Sequence, residues 1–101
     1  MVDLKAWQKR VYANILSKGW NVTDVNRQLL LTIGEVMELF DSIRKKKGDE
    51  GQELADVFIY CLGLAEILGV DLEGEIERKM AINERRTYAE IDGVMVRTSE
   101  G

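Results

Sequence analysis

Four acidic residues occur as two pairs, and each pair has the spacing of one face of a helix. Glu35 and Glu38 are three residues apart, and Glu53 and Asp56 open the stretch ELADVFIYCLGLAEIL with the same spacing. Residues i and i+3 project from one side of an α-helix, so each pair can present two carboxylates together. Two such pairs side by side would form an oxygen-rich site for a divalent cation.

Asp56 is the most informative of these acids. Any single glutamate can be a solvated residue of a helix surface, and Glu53 can be a first-turn acid that the helix dipole favours. An aspartate is a weak helix former, and the apolar run Val57–Ile59 follows Asp56 directly. A carboxylate beside a core costs free energy unless a positive charge offsets it, so Asp56 indicates a metal site.

The residue types that are missing narrow the chemistry. The chain has no histidine and one cysteine, which excludes Ser-His triads, histidine-bound zinc and thiolate clusters. Any metal is therefore held by oxygen, which indicates Mg²⁺, Mn²⁺ or Ca²⁺. Cys61 cannot form an intramolecular disulfide, and the chain starts without a signal-peptide pattern. Both features predict a cytoplasmic location.

Length and composition predict a globular protein without nucleic-acid or membrane partners. Of 101 residues, 46% are hydrophobic and 32% are charged, which is an ordinary globular balance. The formal net charge of −4 argues against binding to a nucleic-acid backbone. The apolar run from Leu54 to Val70 is too short for a membrane span and contains Asp56 and Glu66.

Apolar periodicity and glycine breaks predict an all-α protein of four helices. The second helix is expected to be capped by Thr23 or Asp24, and the polar segment KKKGDEGQ connects it to the third. The tail YAEIDGVMVRTSEG is expected to form a hairpin at Asp92-Gly93 or an irregular arm. The expected helices cover about residues 4–18, 24–46, 49–68 and 72–86. We assign residues 1–88 to one domain and 89–101 to a C-terminal arm.

The second and third helices carry more apolar surface than a bundle of this size can cover. The third is apolar on nearly every side, which predicts a central helix packed all round. Burial of the surplus on both helices predicts self-association to a homodimer or homotetramer, and the second helix contributes a wide apolar arc. Its apolar residues are Leu29, Leu30, Ile33, Val36, Met37 and Phe40.

The acid pattern and its surroundings resemble the MazG-like all-α nucleoside triphosphate pyrophosphohydrolases. The similarity covers about Asn26 to Tyr88 and is carried by GEVMEL, QELADVFIYCLGLAEILGVDL and KMAINERRTY. It implies a four-helix MazG-type bundle and Mg²⁺-dependent hydrolysis, with Mn²⁺ as the other metal, of nucleoside or deoxynucleoside triphosphates. The implied products are a monophosphate and pyrophosphate, in a housecleaning role for nucleotide pools.

The resemblance also assigns roles to individual residues. The metal ligands would be Glu35, Glu38, Glu53 and Asp56, and Glu38 would also orient or deprotonate the attacking water.

A second set of residues would contact the substrate. Lys79, Asn83 and Arg86 form one stripe of the fourth helix, and the resemblance implies that they contact the phosphates. A solvated basic face near a helix end is the alternative for this stripe. Trp20, after the Gly19 break, is the candidate for lining a base pocket. For Trp7 we expect a place in the core.

Other functions remain open from these residues. One is a phosphoribosyl-ATP pyrophosphohydrolase of the same superfamily. A second is a non-catalytic helical interaction module, and a third is a metal-binding regulatory protein without turnover. Asp56 favours a metal site over an interaction module, whereas the residues do not determine the preferred base, the sugar or the number of metals.

Overall fold

The computed structural model describes residues 3–101 and contains four helices followed by a β-hairpin. The helices confirm the predicted all-α class, and each helix end lies within two residues of its predicted position. Among the described residues, no helix is long and apolar enough to cross a membrane. The elements are α1 (Leu4–Ser17), α2 (Val25–Arg44), α3 (Glu50–Leu68), α4 (Leu72–Arg85), β1 (Tyr88–Ile91) and β2 (Val94–Arg97).

Aspartates begin the first two helices, and a glycine ends the third. The Asp3 carboxylate accepts a hydrogen bond from the Ala6 amide, and the Asp24 carboxylate accepts one from Arg27. Asp24, rather than Thr23, is therefore the cap of α2. Gly69 ends α3 at a φ of 70°, a left-handed conformation that glycine adopts without strain.

The chain divides into two compact units, one ending at Asp71 and the other spanning Leu72–Gly101. In the first unit α3 lies between α1 and α2 and contacts both. It approaches α1 closely at Gly63, where an added Cβ would lie 2.8 Å from Ile15 Cδ1 and would require the Ile15 side chain to shift. Leu62 and Ala65 are buried in the same stretch, so the C-terminal half of α3 forms the core.

The N-terminal half of α3 corrects the prediction of a helix packed all round. Leu54, Phe58 and Ile59 are all exposed within the single chain. The reason is geometric, because two neighbouring helices cannot surround a third, and α1 covers only the later turns of α3. The central position of α3 was predicted correctly. The prediction that α3 is packed on all sides was wrong within a single chain.

In α2 one row of polar residues is turned inward, and many large apolar residues are exposed. Gln28, Glu35 and Ser42 recur every seven residues and are buried or half-buried. Residues seven apart share a helix face, so they form one polar row. The other side is a broad exposed apolar arc, which we call the α2 apolar face. It comprises Leu29, Leu30, Ile33, Val36, Met37, Phe40 and Ile43.

The second unit consists of α4 and a β-hairpin. A hairpin was one of the two structures predicted for the tail. β1 and β2 are antiparallel, and Tyr88 pairs with Arg97 at the open end. Asp92 and Gly93 form the turn with φ values of 51° and 80°. Two positive φ values match the twist of the flanking strands, which explains the Asp-Gly sequence there.

Candidate metal centre and adjoining cleft

Three of the four predicted metal ligands meet where α2 and α3 pack together. Glu35, Glu38 and Glu53 each offer one carboxylate oxygen, and these oxygens all lie within 4.8 Å of one another. The five-residue connection between α2 and α3 reverses the chain, so the end of α2 lies beside the start of α3. Two acids on one helix and one on the other thereby converge near the loop.

Two of these carboxylates each have one oxygen that is buried without a hydrogen-bond partner among the described residues. Glu35 Oε2 and Glu53 Oε2 are both buried, and neither accepts a hydrogen bond from any residue of the range 3–101. A buried polar atom is nearly always satisfied in a folded protein, so two such atoms in one cluster indicate a missing partner. Both atoms are acceptors, and the partner must therefore be a donor or a cation.

Glu35 and Glu53 have raised pKa values, so they hold their protons more tightly than isolated glutamates do. Desolvation raises the pKa of Glu35, and the neighbouring charges of Glu38, Asp56 and Glu53 raise it further. Desolvation also raises the pKa of Glu53, followed by the charges of Asp49, Glu38 and Asp56. Burial and mutual repulsion act in the same direction, so a cation placed among these groups would relieve both.

Asp56 lies near this cluster but is not one of the three converging acids. Its side chain is exposed, and it sits one turn before Tyr60 on α3. Its charge still reaches the cluster, because it contributes to the raised pKa of both Glu35 and Glu53. Asp56 therefore stands at the solvent side of the site.

The cluster fits a divalent cation. Carboxylate oxygens are the ligands that Mg²⁺ and Mn²⁺ take, and the described residues contain no histidine that would favour zinc. The two unpaired oxygens on α2 and α3 would gain the partner that they lack. Glu35, Glu38 and Glu53 would hold the ion, and Asp56 lies outside this converging set but acts on it through its charge.

A cleft of about 850 Å³ adjoins the acids on the α1 side. It lies between α1, the α1–α2 connection, α2 and α3, and Tyr60 is part of its wall. Burial raises the pKa of Tyr60, with further contributions from Glu35, Asp56 and Glu38. Tyr60 therefore borders both the cleft and the acids.

Both tryptophans line this cleft. Trp20 was predicted there, and its side chain is 56% exposed. Trp7 was expected in the core, but it is 41% exposed and lines the cleft as well, so that expectation was wrong. On α1, Val11 is buried in the core one turn later, whereas Trp7 lines the cleft.

Two arginines in the cleft were not identified from the sequence. The guanidinium of Arg10 lies 4.6 Å from the centre of the Trp7 ring, a cation–π contact. Arg27 lies on the first turn of α2 and also lines the cleft. Their spacing from Trp7 and Trp20 was visible in the sequence, but nothing there indicated that α1 and α2 share one cleft.

The predicted phosphate-binding residues all lie in the second compact unit. Lys79 and Asn83 are exposed residues of α4, and Arg86 follows its last turn. The Arg86 Nη1 donates to Asn83 Oδ1 at 3.1 Å, and its Nε donates to the Glu100 carbonyl at 3.1 Å. Asn83 and Arg86 are therefore one hydrogen-bonded pair, whose role toward a ligand stays a prediction.

Residues 24–95 match the MazG-like family. This is more than half of the chain, and the chain belongs to the MazG-like family.

The chain is also similar to proteins of known activity or structure. It is 37% identical over 71 residues to the dATP/dGTP diphosphohydrolase of Cyanophage S-2L, covering 69% of this chain and 68% of that protein. A solved structure, the Cyanophage S-2L MazG-like pyrophosphohydrolase bound to dGDP and three catalytic Mn²⁺ ions per active site, is 31% identical with a TM-score of 0.75. That match covers 98% of this chain and 100% of the other. The predicted family and fold are thus confirmed, and the neighbour binds a cation of the predicted class.

Proposed function

We propose that this protein hydrolyses nucleoside or deoxynucleoside triphosphates to a monophosphate and pyrophosphate with Mg²⁺ or Mn²⁺. The observation that carries the proposal is the pair of buried, unpartnered oxygens of Glu35 and Glu53 beside an aromatic cleft. The similarity to a dATP/dGTP diphosphohydrolase and to a pyrophosphohydrolase that binds dGDP and Mn²⁺ supports the reaction type.

The acids would hold the cation, and the cation would meet the phosphates. Glu35, Glu38 and Glu53 supply converging oxygens, and Asp56 supplies a fourth carboxylate at the solvent side. When bound, a divalent cation neutralises phosphate charge and lowers the pKa of water, so this chemistry needs no histidine. The acids must be ionised to bind it.

Glu38 is the acid that best suits the handling of water. It is the exposed member of the three converging acids, whereas Glu35 and Glu53 each have a buried oxygen. A carboxylate that is open to solvent can accept a proton from a water molecule and release it again. We therefore assign to Glu38 the orientation or deprotonation of the attacking water.

The cleft would take the nucleoside part of the substrate. Arg27 is eight residues before Glu35 on α2, which places it about 12 Å from that acid along the helix axis. This separation suits a nucleotide whose base lies among the tryptophans and whose phosphates reach the acids. Trp20 offers an indole face for stacking, and Tyr60 stands between the two ends of the site.

Positive charge from α4 would assist with the phosphates. Lys79 carries a mobile ammonium group, and the Asn83–Arg86 pair presents an amide and a guanidinium that are already oriented. Planar guanidinium groups bind phosphate oxygens through two parallel hydrogen bonds. We propose this role because of the residue types and their one-stripe spacing.

The α2 apolar face would be covered by a second copy of the chain. Leu30 is 68% exposed, and Ile33, Met37 and Phe40 continue the same exposed surface. A contiguous apolar surface of this kind on a small protein is typical of an interface. We propose a homodimer or homotetramer in which this face is buried. The acids lie on the opposite side of α2.

A substrate panel tests the reaction. Purified protein is incubated with ribo- and deoxyribonucleoside triphosphates and phosphoribosyl-ATP, each with Mg²⁺ or Mn²⁺, and pyrophosphate is measured separately from orthophosphate. We expect pyrophosphate and a nucleoside monophosphate. Orthophosphate as the main product would contradict the proposed bond cleavage. Turnover of phosphoribosyl-ATP alone would favour the alternative enzyme, and no turnover at all would favour a non-catalytic protein.

Two matched variants test whether pyrophosphate release depends on the acids of the cluster. Glu53→Gln should abolish pyrophosphate release, because it removes the charge of a converging acid. Glu50→Gln is the control, since Glu50 is an exposed acid of the same first turn of α3 and lies outside the cluster. Equal loss of activity in the two variants would contradict a specific metal site.

A further inference from the structure

A hydrogen bond joins the ends of the two helices that carry the acids. The Ser42 hydroxyl on α2 donates to Asp49 Oδ1, immediately before α3. Ser42 is only 1% exposed, and a hydroxyl so deeply buried requires a partner. The Ser42 backbone carbonyl also accepts a hydrogen bond from the Lys47 amide at 3.0 Å. Ser42 therefore anchors the connecting loop through its backbone and its side chain.

Asp49 uses its side chain in an unusual way for its position. It occupies the cap position of α3, where an aspartate normally accepts hydrogen bonds from amides of its own first turn. The Asp49 side chain makes no such cap bond. Its carboxylate contacts α2 through Ser42, while its backbone carbonyl accepts from the Glu53 amide at 3.1 Å. One residue thus links Ser42 to the turn that carries Glu53.

The register places this link one helical turn from two of the acids. Ser42 follows Glu38 by four residues on α2, and Asp49 precedes Glu53 by four on α3. Each interval corresponds to about 6 Å along a helix axis. Glu38 and Glu53 repel each other, and repulsion at this point pushes the two helix ends apart. A hydrogen bond one turn away opposes that separation.

We propose that the Ser42–Asp49 hydrogen bond positions Glu38 and Glu53 at the spacing that a divalent cation requires. The inference rests on the metal centre of the proposed function. Ser42 and Asp49 are positioning residues, because they act through the acids. Loss of the bond lets the helix ends separate and lowers cation affinity, while the bundle itself remains folded.

The variants separate positioning from charge. Ser42→Ala and Asp49→Ala remove the hydrogen bond. Asp49→Asn keeps an acceptor oxygen for Ser42 and remains a good helix cap, but it loses the negative charge. Ser17→Ala is the control for loss of a hydroxyl, because Ser17 Oγ only donates to the Asn14 carbonyl of its own helix, at 2.8 Å.

The experiment is a titration of the full chain with Mn²⁺, in which free Mn²⁺ is measured by electron paramagnetic resonance. Far-UV circular dichroism and thermal unfolding in EDTA confirm that each variant is folded at the titration temperature. We expect Ser42→Ala and Asp49→Ala to bind Mn²⁺ about 10- to 100-fold more weakly, the range for residues that orient metal ligands. Asp49→Asn and Ser17→Ala should bind as the unaltered protein does.

The possible outcomes distinguish this inference from the proposed function. If the unaltered protein does not bind Mn²⁺, the metal centre itself is wrong. If it binds and Ser42→Ala binds equally tightly, the positioning role is overturned and the metal centre stands. Asp49→Asn that binds as weakly as Asp49→Ala would show that Asp49 acts through its charge, which also overturns the inference. Should Asp49→Ala fail to fold, the Ser42→Ala and Asp49→Asn results still decide.

Discussion

Glu35 on α2 and Glu53 on α3 each have one buried oxygen that finds no hydrogen-bond partner within the described part of the chain, although their carboxylates converge within 4.8 Å. This relationship is unfavourable for a metal-free chain, because two desolvated acids repel each other at short range. It becomes favourable as soon as a cation lies between them. The acids therefore lower the stability of the metal-free protein, and the same acids provide affinity for the cation.

Replacement of Glu35 by glutamine should stabilise the metal-free protein and remove its metal binding. The amide has the size of the carboxyl group, carries no charge and can donate to the neighbouring carboxylates. We expect Glu35→Gln to raise the Tm in EDTA by a few degrees. Its Mn²⁺ affinity should fall by more than about 100-fold, beyond the effect of residues that only orient ligands.

The control for this change is an exposed acid of the same protein. Glu90→Gln alters a glutamate on the exposed strand β1 of the second unit, so neither Tm nor Mn²⁺ affinity should change appreciably. Calorimetric titration and thermal unfolding of both variants provide the comparison. A Glu35→Gln protein that is less stable in EDTA and still binds Mn²⁺ would rule out the repulsive site.

The raised pKa values of Glu35 and Glu53 predict how stability depends on pH. Both exceed the ordinary value of 4.5, so the folded protein retains protons at pH values where the unfolded chain has lost them. The contribution of these two acids to stability must therefore fall as the pH rises from 4.5 through the raised pKa values. Added Mn²⁺ should have its largest effect above that interval, because it binds the ionised form.

Thermal unfolding from pH 4 to pH 8 checks the sign. The Tm in EDTA of the double variant Glu35→Gln, Glu53→Gln provides the reference, since other titrating groups are common to both proteins. The unaltered protein should lose stability relative to this reference as the pH rises. A difference in Tm that is constant with pH would show that folding does not raise the pKa values of the two acids.

The sequence predicted the helices well because local signals define their ends. Asp24 offers a cap and Gly69 a left-handed stop, and both lie within the residues that they control. The convergence of Glu35, Glu38 and Glu53 was also predictable, because i, i+3 spacing and a short connection leave few arrangements for an α2–α3 hairpin.

Tertiary packing explains what could not be predicted. The exposure of Trp7 depends on how α1, α2 and α3 are arranged around the cleft, and no local pattern records that arrangement. Ser42 and Asp49 are ordinary residues in the sequence, and their hydrogen bond exists only once α2 and α3 are paired. The seven-residue spacing of Gln28, Glu35 and Ser42 was the available signal for an inward polar row.

A charge on the α2 apolar face should abolish self-association. Phe40→Glu places a carboxylate on an exposed part of this face, 57% accessible in the single chain, so folding of the chain should be preserved. Burial of that charge in an interface would cost free energy without a partner. Sedimentation velocity should show an oligomer for the unaltered protein and a monomer for the variant. Lys18→Glu, a charge change beyond the end of α1, should leave the oligomer intact. A monomeric unaltered protein would contradict the proposed interface.

Trp20 should report directly on the nucleobase. In a Trp7→Phe background Trp20 is the remaining tryptophan, and its fluorescence should be quenched by an α,β-methylene deoxynucleoside triphosphate with Mg²⁺, because stacked bases quench indole emission.

Trp20→Ala should weaken binding of the same analogue by about 5- to 150-fold, the effect of about 1–3 kcal/mol for loss of one stacked base. Leu16→Ala, at an exposed apolar residue of α1, is the control and should bind normally. Comparison of analogues with four different bases ranks their fit to the cleft. Unchanged affinity in Trp20→Ala would place the base elsewhere.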